Sequence, residues 1–167
     1  MLDSETEVGR RYIEEEALVA ERVSEVFGVT PLSLGSATTH SDRLFSRNGN
    51  VVSIAEIKSR NMTLSELENL GSYLLSYHKI DWGVAAAQLL HVPFLLFVSL
   101  MKSNHIVYWT VANGEGTIRC NFQVQNTKTQ ASCNGGVAVR ENAYIFLDGM
   151  KVLKTSRDKP EPSESDL

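Results

Sequence analysis

The sequence predicts an α/β domain: a central mixed β-sheet flanked by helices in the order α-β-β-β-α-β, with extra strands at the C-terminal end. Three observations predict it. A helical apolar period runs from Ser4 to Gly28, β-branched runs separated by turn residues follow, and a second helical stretch precedes the apolar run Val92 to Met101. At 167 residues, 43% of them apolar and 22% charged, the chain is most simply one domain with its own core. We expect that domain over residues 1–155, with its core at about 7–111 and an extension over 112–155. Residues 156–167 are polar, charged and proline-containing, and are expected to be disordered.

In the first helix Tyr12, Val19, Val23 and Val26 fall on one face, and Ile13, Ala20, Val23 and Phe27 on the adjoining stripe. Ser4 can cap its start and Gly28 ends it. Glu16 lies one turn from Tyr12, Ile13, Val19 and Ala20, so it points inward, whereas Glu14 and Glu15 lean towards solvent. A glutamate on the buried side of a helix is costly unless it is paired or binds a metal. Thr30 to Gly35 reads as a short strand, and Pro31 puts it at a sheet edge or a strand beginning. Asp42 to Arg47 is a second strand, Asn48-Gly49-Asn50 a tight turn, and Asn50 to Lys58 a third strand. Thr63-Leu64-Ser65-Glu66 is a capping box that starts a helix to about His78, with Leu67, Leu70, Leu74 and Tyr77 on one side. Residues 81–90 read as a short further helix, and Val92 to Leu100 and Ile106 to Val111 as two strands. From Gly116 to Leu153 the chain is rich in Thr, Asn, Gln and Gly, which suits short strands and loops.

The chemistry gathers at Asp42, followed after thirteen residues by Glu56-Ile57-Lys58. Residues two apart in a strand share a face, so Glu56 and Lys58 project together. Two carboxylates and an ammonium at a sheet end can hold a hard divalent cation and a nucleophilic water beside a phosphate. The register decides whether they meet. A two-residue turn at Asn48-Gly49 sets Asp42 opposite Ala55, on the wrong face, whereas a three-residue turn, or a bulge with the same effect, sets it opposite Glu56. The shared face would then carry Asp42, Leu44, Val52, Ile54, Glu56 and Lys58. Facing carboxylates repel, and Mg2+ or Mn2+ between them removes that cost. Alanine at Asp42 or Glu56 is therefore expected to abolish cleavage while leaving the fold intact or more stable. Lys79, near the end of the second predicted helix beside Ser76, Tyr77 and His78, is the best basic candidate to reach the site. His40 lies close to Asp42 and can meet phosphate, and Arg43, Arg47 and Arg60 flank the hairpin as candidate backbone-phosphate contacts. Asn134-Gly135-Gly136, ahead of Arg140, reads as loop punctuation.

This order of helix with Glu16, strand, strand with Asp42, strand with Glu56-Ile57-Lys58, then helix resembles the PD-(D/E)XK nuclease superfamily over about residues 7–111. In spacing it is most similar to compact archaeal-type Holliday-junction resolvases and phage-encoded relatives. The resemblance implies a restriction-endonuclease-like core and a metal-dependent DNA phosphodiesterase. It makes Asp42 and Glu56 metal ligands, Ile57 a carbonyl ligand, Lys58 catalytic and Glu16 the supporting acid of the first helix. Many relatives place a basic or amide side chain on the following helix, which Lys79 matches. Ser41 stands where the family's name has a proline. The competing readings are a non-catalytic DNA- or protein-binding module on the same fold and an RNA-directed nuclease.

A net charge of −4 does not suggest a nucleic-acid binder, but the acids concentrate in Asp3 to Glu25 and Asp158 to Asp166 and leave a basic middle. Cys120 and Cys133 have no metal-ligand spacing and read as thiols of a reducing compartment. The acidic, polar start carries no secretory signal, and the longest apolar run contains a proline and is about half a membrane span. The expectation is a cytoplasmic protein (host cytoplasm if viral) that acts on DNA, with neither membrane nor organic cofactor. A homodimer would suit cutting of two strands, although no heptad or other interface signal marks one.

Overall fold

The hairpin that the sequence places at the centre of the argument forms with a two-residue turn and a bulge. In the computed structural model, which describes residues 7–33, 43–130 and 137–153, β2 (Arg43–Arg47) and β3 (Asn50–Arg60) are antiparallel neighbours. Asn48 and Gly49 both have positive φ, 52° and 79°, the backbone that a two-residue turn of matching twist requires. Arg47 pairs with Asn50 and Ser46 with Val51, after which the register shifts so that Phe45 meets Ser53, Leu44 meets Ile54 and Arg43 meets Ala55. Val52 is the extra residue of the bulge. It turns to the face of Phe45 and Ala55, while Val51 packs with Leu44 and Ile54. The bulge is the form the sequence allowed in place of a three-residue turn, and beyond it the register is the shifted one; only the expected place of Val52 is corrected.

The hairpin belongs to a six-stranded mixed sheet in the order β1-β2-β3-β5-β6-β9, where β1 is Thr30–Ser33, β5 Phe94–Leu100, β6 His105–Ala112 and β9 Lys151–Val152. β1, with its Pro31, is an edge strand. β3 and β5 run parallel, and every residue of β5 but Leu95 is buried. α1 (Glu7–Phe27) covers one face through Val19, Ala20 and Val23, packed with Phe45, Ala55, Ile57 and Phe97. Ile13, Val26 and Phe27, expected on the buried stripes, are 51%, 41% and 37% exposed, although the Phe27 ring still meets Tyr108 of β6 edge-on.

The crossover from β3 to β5 differs from expectation. α2 (Leu64–Leu70) has the predicted capping box, with Thr63 and Glu66 bonded reciprocally, but it stops at Gly71, whose φ of 71° is a left-handed C-cap. The chain then forms a strand, β4 (Ser72–Ser76), and only afterwards a second helix, α3 (Tyr77–Leu90). The continuous helix to His78 is therefore absent. Leu70 and Leu74 are 63% and 38% exposed rather than members of one apolar stripe. β4 joins β8 (Val137–Phe146) and β7 (Phe122–Gln130) in a second, three-stranded sheet, order β4-β8-β7. This sheet and α3 cover the other face of the main sheet. Tyr73, Leu75, Ala143 and Ile145 share a core there with Ile80, Leu96, Val98 and Trp109. The burial of Cys120 pushes its thiol up to about 11. No helix among the described residues is long and apolar enough to cross a membrane. Ser4, Gly35, Cys133, Asn134-Gly135-Gly136 and the tail from 156 lie outside the described residues.

α3 sits as close to the sheet as it does because residue 83 has no side chain. A Cβ on Gly83 would lie 2.2 Å from the fully buried Phe94 ring. Gly83→Ala should therefore destabilise the protein by about 1–3 kcal/mol in urea unfolding, although alanine is the better helix former. An unchanged or raised midpoint would show that the ring and helix part without cost.

Candidate active site

β3 carries Glu56 and Lys58 on the side away from α1's apolar stripe, in parallel register with Leu96 and Val98 of β5. Glu56 has no solvent exposure. A buried ionised carboxylate must be paired, and two ammonium groups reach this one. Lys58 Nζ lies 2.8 Å and Lys79 Nζ 3.0 Å from Glu56 Oε1, and Lys79 also donates to Oε2 at 3.2 Å. Lys58 Nζ further donates to the carbonyl oxygen of Ile57 at 2.9 Å. One cation is therefore held by the carboxylate of Glu56 and the carbonyl of the next residue together. Lys79 arrives from the first turn of α3, not from near the end of an earlier helix as expected, because β4 interrupts the helical stretch.

α1 contributes from the other side of the cleft. Glu16 Oε1 stands 3.9 Å from Lys58 Nζ, with about a quarter of its side chain exposed. Glu15 does not lean to solvent as the helical wheel suggested; its Oε1 accepts a hydrogen bond from Ser99 Oγ of β5. The two adjacent glutamates thus divide, one fastening α1 to the sheet and the other facing the lysine.

These groups border a cleft of about 710 Å³ whose lining includes Glu16, Lys58, Arg60, His78, Lys79 and Arg140. Arg60 is fixed there by a hydrogen bond from Nη1 to the Ser59 carbonyl (2.9 Å) and by stacking over the Tyr73 ring, 5.3 Å from its centroid. Burial raises the Tyr73 hydroxyl pKa, so the ring beneath Arg60 stays neutral. Arg47 sits elsewhere: its guanidinium donates to the carbonyls of Phe27 and Gly28 at the C-terminal end of α1. Arg43 is half-buried in β2 opposite Ala55. His40 and Asp42 lie outside the described residues. Among the lining residues Arg140 has the weakest signal in the sequence. It comes from β8, more than 80 positions beyond Glu56, and only the pairing of β8 with β4 brings it to the cleft.

With this geometry in view, the family comparison is specific. Residues 7–121, about two thirds of the chain, match the family described as "Phage putative PDDEXK endonuclease". The chain belongs to this family. Its core is accordingly restriction-endonuclease-like, and the family's name places it among nucleases, a class of hydrolases that generally uses divalent metal ions. No curated protein and no solved structure matches the chain.

The donor chemistry fits a hard cation. Glu56 and the Ile57 carbonyl are oxygen donors already converging on one positive charge, which is the ligand type Mg2+ and Mn2+ prefer. Among the described residues no cluster of three His, Cys, Asp or Glu side chains forms, so this pair needs further oxygen ligands.

The ion pairs reverse one sequence expectation. Because Glu56 holds two ammonium groups, removing it leaves those cations facing each other. Glu56→Ala should cost about 1–3 kcal/mol of folding stability, less than for a fully buried pair because each lysine side chain is about one-fifth exposed (22% and 20%). Chemical denaturation checks this; a stabilised variant would mean that carboxylate repulsion dominates the site after all.

Proposed function

We propose that the chain is a divalent-metal-dependent nuclease that hydrolyses DNA phosphodiester bonds at the cleft beside Glu56. The observation that carries this reading is the shared seat of the Lys58 ammonium on Glu56 Oε1 and the Ile57 carbonyl, two oxygens bound to one cation at the floor of a positively lined cleft. In this reading Glu56 and the Ile57 carbonyl hold Mg2+ or Mn2+ together with Asp42. Asp42 directly precedes Arg43, which pairs with Ala55 next to Glu56, and this nearness in sequence supports it in that role. The bound metal supplies Lewis acidity to the phosphoryl oxygen and acidity to a water.

The residues of the chain divide the remaining work. Lys58, given up by the two oxygens it holds, keeps its ammonium at the cleft, where it orients the attacking water or offsets charge gathering on the phosphoryl group. Lys79 stays on Glu56 and fixes the carboxylate rotamer from α3. Glu16 faces Lys58 across the cleft and holds that ammonium in place when Glu56 is otherwise engaged. Arg60, anchored on Tyr73, is positioned for a backbone phosphate next to the one cleaved. Arg43 and His40 are proposed phosphate contacts on the hairpin side. Arg47, committed to the end of α1, is the weakest member of that set.

The test is cleavage of labelled linear, nicked, single-stranded and four-way DNAs, and of an RNA, with Mg2+, Mn2+ or EDTA. We expect metal-dependent cutting of DNA that falls by about 100-fold or more in Lys58→Ala, the scale of a lost proton-transfer or charge-stabilising group. Cutting that survives in Lys58→Ala and Glu56→Ala would remove these residues from the mechanism. Binding without cleavage under every condition would instead identify a non-catalytic module.

A further inference from the structure

The family match ends at residue 121 and β7 begins at Phe122, so the second sheet's long hairpin is an addition to the matched segment. Its root is tightly built. β4 pairs with β8 from Phe146 only as far as Asn142, whose buried side chain donates to Thr127 Oγ1 (2.6 Å) and to the Arg140 carbonyl (3.3 Å) and so ties the two strands. Beyond that point β7 and β8 continue alone for five further pairs, Asn126 with Glu141 through Gln130 with Val137. Those pairs make a two-stranded ribbon roughly 13 Å long at the usual rise per residue. The side chains of Asn126, Lys128, Val139, Arg140 and Glu141 on it are exposed, Val139 by 64%. Exposure on both faces gives such a ribbon no core to stabilise it. Arg140, at its root, lines the cleft beside Lys58 and Lys79.

We infer that this ribbon is a duplex-DNA-binding arm: Arg140 grips a strand phosphate at the catalytic cleft, and the exposed stretch beyond it lies in the major groove. The inference rests on the nuclease reading for its substrate. Three features carry it. The ribbon is continuous with the cleft through Arg140, so whatever occupies one meets the other. A two-stranded ribbon fits a B-form major groove about 12 Å wide, and the deep, narrow groove of duplex RNA does not admit it. Its exposed side chains combine cations for phosphate (Lys128, Arg140), an amide for base edges (Asn126), an apolar side chain for a thymine methyl (Val139) and a carboxylate able to accept from a cytosine amino group (Glu141).

The experiment is fluorescence anisotropy of the full chain on a labelled DNA duplex, the same sequence as a single strand, and the corresponding RNA duplex, in EDTA across a salt series. Mg2+ cleavage is followed in parallel. Arg140→Ala and Lys128→Ala should each weaken DNA-duplex binding by about tenfold and lower the salt slope by about one. Arg140→Lys should recover most of that loss, and single-stranded DNA and duplex RNA should respond less. Unchanged duplex affinity in both alanine variants overturns the inference, as do equal losses on all three nucleic acids. If affinity is unchanged while Val139→Asp splits a dimer in sedimentation, the occupant of the ribbon is a second copy of the chain. Cleavage by the wild type with ribbon-independent binding would refute the arm alone. Ribbon-dependent duplex binding without cleavage would refute the nuclease reading alone.

Discussion

A carboxylate without solvent exposure is stable inside a sheet only if cations come to it, and Glu56 draws two. Burial of an isolated ion costs several kcal/mol even after relaxation, and removal of one partner of a buried pair exposes that cost. The positions of the surrounding elements can be read from this requirement. β3 supplies the acid and one lysine two residues apart, so pleating alone aligns them. α3 begins where it does, immediately after β4, and its first turn carries Lys79 to the same acid. Two ammonium groups on one carboxylate leave a positive excess. Exchange of the Lys58 contact for a divalent ion would add one unit of positive charge, so the proposed metal seat needs one further carboxylate to restore that balance.

The seat depends on backbone features remote from the chemistry. The bulge at Val52 turns a two-residue hairpin into one shifted by a position beyond Phe45, so that Leu44 meets Ile54 and Arg43 meets Ala55. The chain thereby keeps the favourable Asn48-Gly49 turn and still obtains the alignment of a longer loop. The bare surface of Gly83 against Phe94 sets the distance of α3 from the sheet, and with it the reach of Lys79. A methyl group there acts on the ion pair through the helix, without touching it.

The site was legible in the sequence where strand periodicity governs, and illegible where a distant element decides. Glu56 and Lys58 are two apart in an apolar strand, so their meeting needs no tertiary information. Glu16 followed from helical spacing, but the same spacing misplaced Glu15, because Ser99 of β5 offers a hydroxyl that no helical wheel contains. The helix drawn through residues 63–78 shows the opposite failure. Its leucines keep a helical period, yet Gly71 ends the helix and Ser72–Ser76 is recruited by β8, some seventy residues on. Intrinsic preference yields to strand pairing in such a segment. Arg140 is hidden for the same reason: nothing near it in sequence announces a site, and its partner strand Ser72–Ser76 carries a helical period.

The net charge of −4 then loses its apparent conflict with a nucleic-acid substrate. Exposed charges are screened beyond about 8 Å at physiological ionic strength, so a phosphodiester in the cleft responds to its lining and not to the chain's total. Lys58, Arg60, Lys79 and Arg140 border that cleft, against Glu16 at its wall and Glu56 beneath. Glu21 and Glu25 of α1 are exposed one to three turns further along the helix, roughly 7–14 Å from Glu16 at 1.5 Å per residue. They add to the acidic total without lining the cleft. A negative net charge and a positively lined cleft therefore coexist.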